Sequence, residues 1–149
     1  GSYLAGLAFF NAGVAGVHAL AYPLGGQFHI AHGESNAVLL PYVMGYIRQS
    51  CTKRMADIFN ALGGNSSFLS EVEASYRCVE ELERFVADVG IPKTLGGFGI
   101  PESALESLTK DAVQQKRLLA RSPLPLLEAD IRAIYEAAFA GTIVEPHKA

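Results

Sequence analysis

Apolar residues recur at helical spacing along most of the chain. In the clearest stretch, Val38, Leu39, Tyr42, Val43 and Ile47 follow the 3.6-residue period of an α-helix. The same period predicts further helices over residues 52–62, 68–89, 101–119 and 128–140. No segment alternates strictly between apolar and polar residues, as a half-buried strand would. The pattern therefore predicts an all-α protein with one domain over residues 1–149.

The first 24 residues form the most apolar part of the chain. Residues 3–24 carry no charge, and the stretch is long enough to cross a bilayer, which takes about 20 apolar residues. However, the first basic residue is Arg48, so the stretch lacks the flanking charge of a membrane anchor. We therefore predict a helix buried on all sides inside a soluble protein. Pro23 with Gly25-Gly26 is predicted to end it.

Glycine, proline and serine mark the other predicted helix boundaries. Gly63-Gly64 is typical of a left-handed C-cap, and Ser66 or Ser67 is predicted to cap the long helix that follows. Pro41 lies inside the second helical pattern, where we expect it to kink or reset the helix.

Composition narrows the class of protein. Hydrophobic residues make up 50% of the chain and charged residues only 18%, against about 25% in ordinary globular proteins. This deficit indicates a face that another domain or subunit covers. The net charge of −3 argues against nucleic-acid binding, which needs a basic surface. Two cysteines, Cys51 and Cys78, are too few for a disulfide scaffold, and we expect free, buried thiols in a reducing cytoplasm.

Histidines are the main candidates for chemistry. His18 lies on the nearly apolar first segment, and His29 and His32 follow Gly25-Gly26. Imidazole is a common metal ligand, so two helix ends that converge across a turn could share one ion. Spacing alone leaves this open, because a histidine on an apolar face is often a hydrogen-bonded core residue. The glycine-rich stretches follow no predicted strand, so they lack the context of a dinucleotide-binding turn.

Residues 16–44, GVHALAYPLGGQFHIAHGESNAVLLPYVM, resemble the signature of the iron-containing (group III) alcohol dehydrogenases. That signature has a histidine, a Gly-Gly pair, a second His-Gly, and then a helix that begins with Asn-Ala and continues with Leu-Leu-Pro. The positions that fit are His18, Gly25, Gly26, His32, Gly33, Asn36, Ala37, Leu39, Leu40 and Pro41. Residues 5–16 and 122–139 are also similar to the family, so the resemblance spans nearly the whole chain.

The resemblance implies the C-terminal helical domain of a metal-dependent enzyme. In the family, an α/β domain that binds NAD or NADP precedes it, and we expect that domain to be missing here, with Gly1-Ser2 left from a tag. The family holds a divalent metal through an Asp and a His in the earlier part and two later histidines. The later pair matches His18 and His32. Fe²⁺ is the expected metal, with Zn²⁺ as an alternative.

Two positions depart from the family pattern. Tyr22 stands where many members carry a histidine close to the nicotinamide, which makes Tyr22 a candidate cofactor-binding residue. Ala31 replaces a proline that often precedes the second metal ligand.

The expected activity of the intact enzyme is hydride transfer between a primary or secondary alcohol, or the corresponding aldehyde, and NAD(P). The isolated chain is expected to be inactive. We expect a cytoplasmic homodimer or larger assembly, with no membrane or nucleic-acid partner. The alternative is a non-catalytic helical interaction domain whose histidines are core residues.

Overall fold

A computed structural model describes residues 1–146 of the chain. Eight α-helices follow one another: α1 Ser2–Ala12, α2 Gly16–Phe28, α3 His32–Ile47, α4 Thr52–Ala61, α5 Glu71–Asp88, α6 Leu105–Val113, α7 Lys116–Leu119 and α8 Glu128–Ala140. Short 3-10 turns lie at Arg48–Ser50, Leu95–Phe98 and Glu102–Ala104. Within residues 1–146 there is no strand, which confirms the all-α prediction.

The apolar N-terminal stretch forms two helices rather than one. α1 ends at Gly13, whose φ of 71° is a conformation that glycine adopts without strain. No residue of α1 is buried, so the prediction of a helix buried on all sides is wrong for α1. Among residues 1–146, no single helix is long and apolar enough to cross a membrane. α1 and α2 reach that length only as a pair bent by 101°.

The predicted stop at Pro23 and Gly25-Gly26 is also wrong. α2 continues through all three residues and ends at Phe28, where His29 forms the C-cap with a left-handed backbone of φ 56°. Pro23 is buried within the helix, and α2 packs against α3 and α6. This packing offsets the backbone hydrogen bond that a proline removes.

The main core lies between α2, α3, α6 and α8. α3 stays helical through Pro41, so the helix is not interrupted and restarted at that proline as the sequence predicted. Three core tyrosines place their hydroxyls against acceptors at 2.6 Å: Tyr42 donates to the Lys93 carbonyl, Tyr46 to Asp130, and Tyr135 to the Leu20 carbonyl. These bonds join segments that are far apart in sequence and satisfy polar groups that burial would otherwise leave unpaired.

A second, smaller cluster lies between α4 and α5, where Met55, Phe59 and Cys78 are buried. α5 begins after Ser70, not after Ser66 or Ser67 as the sequence predicted. The apolar residues at helical spacing within the predicted helix over residues 68–89 form a stripe that is only partly buried: Val79, Leu82 and Val86 face the protein. Four other members of that stripe are exposed: Val72, Tyr76, Phe85 and Val89.

The other helices and the two cysteines agree only in part with what the sequence predicted. α8 has the predicted bounds, and α4 the predicted extent to within a residue. The predicted helix over residues 101–119 is divided into a 3-10 turn, α6 and α7. Both cysteines are free thiols, as expected, but only Cys78 is buried and Cys51 is half-buried.

Candidate functional site

The first two turns of α2 and the start of α3 bring three aromatic side chains together. His18 is the third residue of α2 and His32 the first residue of α3. Their ring centroids lie 5.2 Å apart, with the ring planes inclined at 56°. The Tyr22 ring lies 5.4 Å from His32 with an interplanar angle of 30°. The three residues singled out from the sequence therefore form one cluster, in which the His32 ring contacts both His18 and Tyr22.

The route by which the histidines meet differs from the one predicted. Gly25 and Gly26 are inside α2, so the histidines do not face each other across a turn at these glycines. The chain reverses instead at residues 29–31, and the rings meet because α2 packs along α3. His29 caps the end of α2 and is exposed. The structure therefore gives His29 no place in the cluster of aromatic rings.

The surroundings of His18 favour a neutral imidazole. Partial burial lowers the pKa of His18 from its ordinary value of 6.5, and the neighbouring His32 lowers it further. A neutral ring keeps a free lone pair, which is the form that binds metal ions. Neither residue is a buried core histidine, since His18 is half-buried and His32 is exposed.

Asn36 is a member of this cluster to which sequence reasoning gave no role. It lies one helical turn after His32, and its amide nitrogen Nδ2 donates to the His32 carbonyl at 2.8 Å. The same nitrogen lies 3.1 Å from Nε2 of the His32 ring. The i,i+4 spacing within the matched motif was the available signal, because residues four apart share a helix face.

An apolar cavity of about 510 Å³ opens beside the cluster. His18 and Asn36 supply polar groups to its wall, whereas Leu40, Val43 and Met44 of α3 are among its apolar residues. Arg54 brings one positive charge to the same cavity. A cavity of this kind, apolar with few polar groups, is typical of a small-molecule site.

The donor set fits part of a metal site. Two imidazoles at this separation are suitable ligands for a divalent transition metal. Within residues 1–146, no group of three or more His, Cys, Asp or Glu side chains could hold an ion together. Two donors leave coordination positions open for ligands from elsewhere.

Residues 1–139 match the family model of the Fe-containing alcohol dehydrogenase family, C-terminal. The chain belongs to this family. The match confirms the resemblance identified from the sequence. Iron or another metal is implied by the family description rather than by an ion in this structure.

Similar proteins support the same assignment. A 1,3-propanediol dehydrogenase of Klebsiella pneumoniae is 36% identical over 138 residues, which are 93% of this chain and 35% of that protein. A lactaldehyde reductase of Escherichia coli K12 is 35% identical over 113 residues, which are 76% of this chain and 30% of that protein. The chain thus spans about a third of the length of these relatives.

Solved structures show the same helical fold. A crystal structure of a 1,3-propanediol oxidoreductase matches with a TM-score of 0.87 and 35% identity, covering 91% of this chain and 35% of that one. An alcohol dehydrogenase from Oenococcus oeni also gives a TM-score of 0.87, at 31% identity. The predicted C-terminal helical domain of the iron-containing alcohol dehydrogenases is therefore confirmed.

Proposed function

We propose that this chain supplies part of the metal site and the apolar substrate wall of an NAD(P)-dependent alcohol dehydrogenase. The observation that carries the proposal is the convergence of the His18 and His32 rings, 5.2 Å apart, beside the 510 Å³ apolar cavity. The substrate class is a small primary or secondary alcohol, or the corresponding aldehyde. Related proteins support that class by their names, which include a 1,3-propanediol dehydrogenase and a lactaldehyde reductase.

In this proposal His18 and His32 are two of the metal ligands. When bound, a divalent ion such as Fe²⁺ or Zn²⁺ supplies a Lewis acid for the alcohol oxygen. The remaining ligands come from outside this chain. Desolvation, and after it the neighbouring His32, lowers the pKa of His18, which favours the neutral imidazole that donates a lone pair to a metal ion.

In this proposal the apolar wall of the cavity binds the carbon skeleton of the substrate. Leu40, Val43 and Met44 offer apolar surface, and contact with this surface excludes water from the reacting end. The polar groups of His18 and Asn36 lie on the same wall, so an alcohol can direct its oxygen toward them while its carbon chain stays on the apolar surface.

Binding of NAD or NADP is assigned mainly to a domain outside this chain. A related methanol dehydrogenase of Bacillus methanolicus, named as NAD-dependent, is 37% identical over 112 residues. Tyr22 is the candidate on this chain for contact with the nicotinamide, because its ring adjoins His32 and is partly exposed. Assembly as a cytoplasmic homodimer or larger oligomer remains a prediction.

Metal titration of the 149-residue chain tests the proposal. We expect isothermal titration with Zn²⁺, and with Fe²⁺ under anaerobic conditions, to show weak binding of about one ion per chain. Two imidazoles without a carboxylate form only part of a metal site, which is the reason for the weak affinity. His18→Ala and His32→Ala should each abolish the binding.

His29→Asn is the matched control, because His29 is exposed near His32 but outside the cluster. Asparagine also tolerates the left-handed backbone at this position. Unchanged Zn²⁺ binding in the double variant His18→Ala/His32→Ala would overturn the metal assignment. The isolated chain should not oxidise alcohols with NAD or NADP. Turnover by it would contradict the proposal that another domain supplies the other metal ligands and most of the NAD(P) site.

The alternative of a non-catalytic domain with core histidines is less well supported. A core histidine would be buried and hydrogen-bonded within the fold, whereas the His32 ring is exposed at the start of α3. The metal titration also decides between the two functions, because core histidines would bind no ion.

A further inference from the structure

Asn36 makes two contacts with His32, one to its backbone and one to its ring. The amide nitrogen Nδ2 lies 2.8 Å from the His32 carbonyl oxygen and 3.1 Å from the ring nitrogen Nε2. An amide NH₂ group has two hydrogens, so it can donate to both atoms at once.

The first contact fixes the orientation of the amide. A carbonyl oxygen only accepts hydrogen bonds, so the Asn36 atom 2.8 Å away from it must be the nitrogen. The reversed amide would place two oxygen atoms at that distance. The backbone contact therefore distinguishes the two orientations on chemical grounds.

The second contact then determines where the His32 ring carries its proton. An amide nitrogen donates and has no available lone pair, so Nε2 must be the acceptor in the 3.1 Å contact. A neutral imidazole with an unprotonated Nε2 carries its hydrogen on Nδ1. This is the less common tautomer of free neutral histidine in water.

This orientation of Asn36 has a cost elsewhere. Its carbonyl oxygen Oδ1 is buried, and no residue in the described part of the chain donates to it. A buried acceptor without a partner destabilises the fold. The two hydrogen bonds to His32 compensate for this unpaired acceptor. The orientation of the amide is therefore set by His32 and not by the core.

We propose that Asn36 is a positioning residue that holds His32 in the Nδ1–H tautomer, in which Nε2 carries no proton and has a lone pair that can bind a metal ion. The inference rests on the proposed function for the importance of that lone pair, but not for the tautomer itself. The Asn36 amide would give up its 3.1 Å contact to Nε2 when His32 holds a divalent ion, while its 2.8 Å bond to the His32 carbonyl would keep the side chain in place. The rings of His18 and Tyr22 also contact the His32 ring.

Nitrogen NMR of the metal-free chain measures the tautomer directly. The 149-residue chain, labelled with ¹⁵N-histidine and treated with chelator, is studied at a pH about two units above the ordinary histidine pKa of about 6.5, so that the rings are neutral. Loss of one set of signals in His32→Gln assigns the resonances of His32. We expect a downfield, unprotonated Nε2 and an upfield, protonated Nδ1 in the unmodified chain.

Substitution of Asn36 should exchange the two signals. Asn36→Leu keeps the branch at Cγ but cannot donate, so His32 should shift to the Nε2–H tautomer. Asn36→Asp offers only acceptors and should produce the same exchange. Glu34→Gln is the control, since Glu34 lies in the same turn and forms no hydrogen bond to His32 among the described residues. Circular dichroism verifies that each variant is folded.

An Nε2–H signal for His32 in the unmodified chain would overturn the inference, whatever happens to the variants. An unchanged tautomer in a folded Asn36→Leu variant would also overturn it. Zn²⁺ addition separates this inference from the proposed function. If the tautomer is as proposed but Zn²⁺ leaves the His32 signals unchanged, the metal assignment fails and the role of Asn36 in setting the tautomer stands.

Discussion

At the residue scale, Tyr22 supports the site through its ring. The ring lies 5.4 Å from that of His32, and the side chain is 46% exposed. In the described part of the chain, the Tyr22 hydroxyl has no hydrogen-bond partner. Tyr22 therefore contacts His32 through its ring, and its hydroxyl is free for a ligand or for water.

Substitutions at Tyr22 separate the ring from the hydroxyl. Tyr22→Ala removes an aromatic contact of about 0.5–1.5 kcal/mol, so we expect the Zn²⁺ dissociation constant of the chain to rise about 2- to 10-fold. Tyr22→Phe retains the ring and should bind Zn²⁺ as the unmodified chain does. Isothermal titration measures both. Equal weakening in the two variants would show that the hydroxyl, rather than the ring, supports the metal site.

At the element scale, a capping box fixes the start of α5. The Ser70 side chain accepts from the Glu73 backbone N–H at 3.2 Å, and the Ser70 backbone N–H donates to the Glu73 carboxylate at 2.8 Å. This reciprocal pair satisfies two backbone donors that the end of a helix would otherwise leave free.

Removing the cap should destabilise the chain measurably. We expect Ser70→Ala to lower the free energy of unfolding by about 1 kcal/mol, as in other serine N-caps. Ser67→Ala is the matched control, because Ser67 was a cap candidate from the sequence but is exposed outside the helix. Urea denaturation compares the two. A larger loss in Ser67→Ala would place the start of α5 earlier than the structure does.

A cluster of charged and polar side chains around Glu145 attaches the segment after α8 to α5 and to the 3-10 turn after α3. Arg48 is 1% exposed, pairs with Glu145, and lies 3.3 Å over the Tyr76 ring. Glu145 also accepts from Tyr76 at 2.6 Å and from Gln49 at 2.7 Å. The carboxylate therefore compensates a buried guanidinium while it holds the segment in place.

Acid should weaken this attachment. The Tyr76 hydroxyl, followed by Arg48, lowers the pKa of Glu145 below its ordinary value of 4.5. A lowered folded-state pKa means that the stabilisation is complete above the unfolded-state pKa and is lost as the pH falls through the folded-state value. We expect Glu145→Gln to be less stable than the unmodified chain at pH 7, with the difference shrinking below a pH of about 4.

Urea denaturation at several pH values measures that difference. Glu80→Gln is the control, because Glu80 pairs with Arg77 on the exposed surface, where an ion pair contributes about 0–1 kcal/mol. A constant difference between the Glu145→Gln variant and the unmodified chain from pH 7 to pH 3 would contradict the role given to the carboxylate.

At the scale of the whole molecule, α1 presents an uncharged apolar surface. Tyr3, Leu4, Phe9 and Phe10 are all more than half exposed. The chain spans about a third of its relatives' length, and only 18% of its residues are charged. An exposed apolar surface of this kind favours association.

The 149-residue chain should therefore self-associate as its concentration rises. Phe10→Glu places a charge on the most exposed aromatic residue of α1, which is 86% exposed, and should shift the chain toward monomer in sedimentation velocity. Phe68→Glu is the control, because Phe68 is 93% exposed but lies outside α1. A chain that is monomeric at all concentrations, or an equal effect of Phe68→Glu, would refute a role for α1.

The sequence by itself determined the all-α class and the bounds of α8, and it singled out His18 and His32 as a candidate pair. The first two follow from helical periodicity, which is a local property of the chain. The histidine pair was identified through resemblance to the family, since spacing alone left core histidines as an alternative. His18 and Tyr22 share a face because they lie four residues apart on one helix.

Only the tertiary structure decided the path between the two histidines, the exposure of α1 and the contact of Asn36 with His32. Pro23 and Gly25-Gly26 have low helix propensity, yet α2 continues through them because its packing against α3 and α6 outweighs a local preference. Burial likewise depends on which elements meet. α1 and α2 are similarly apolar in sequence, and only α2 has helices packed around it.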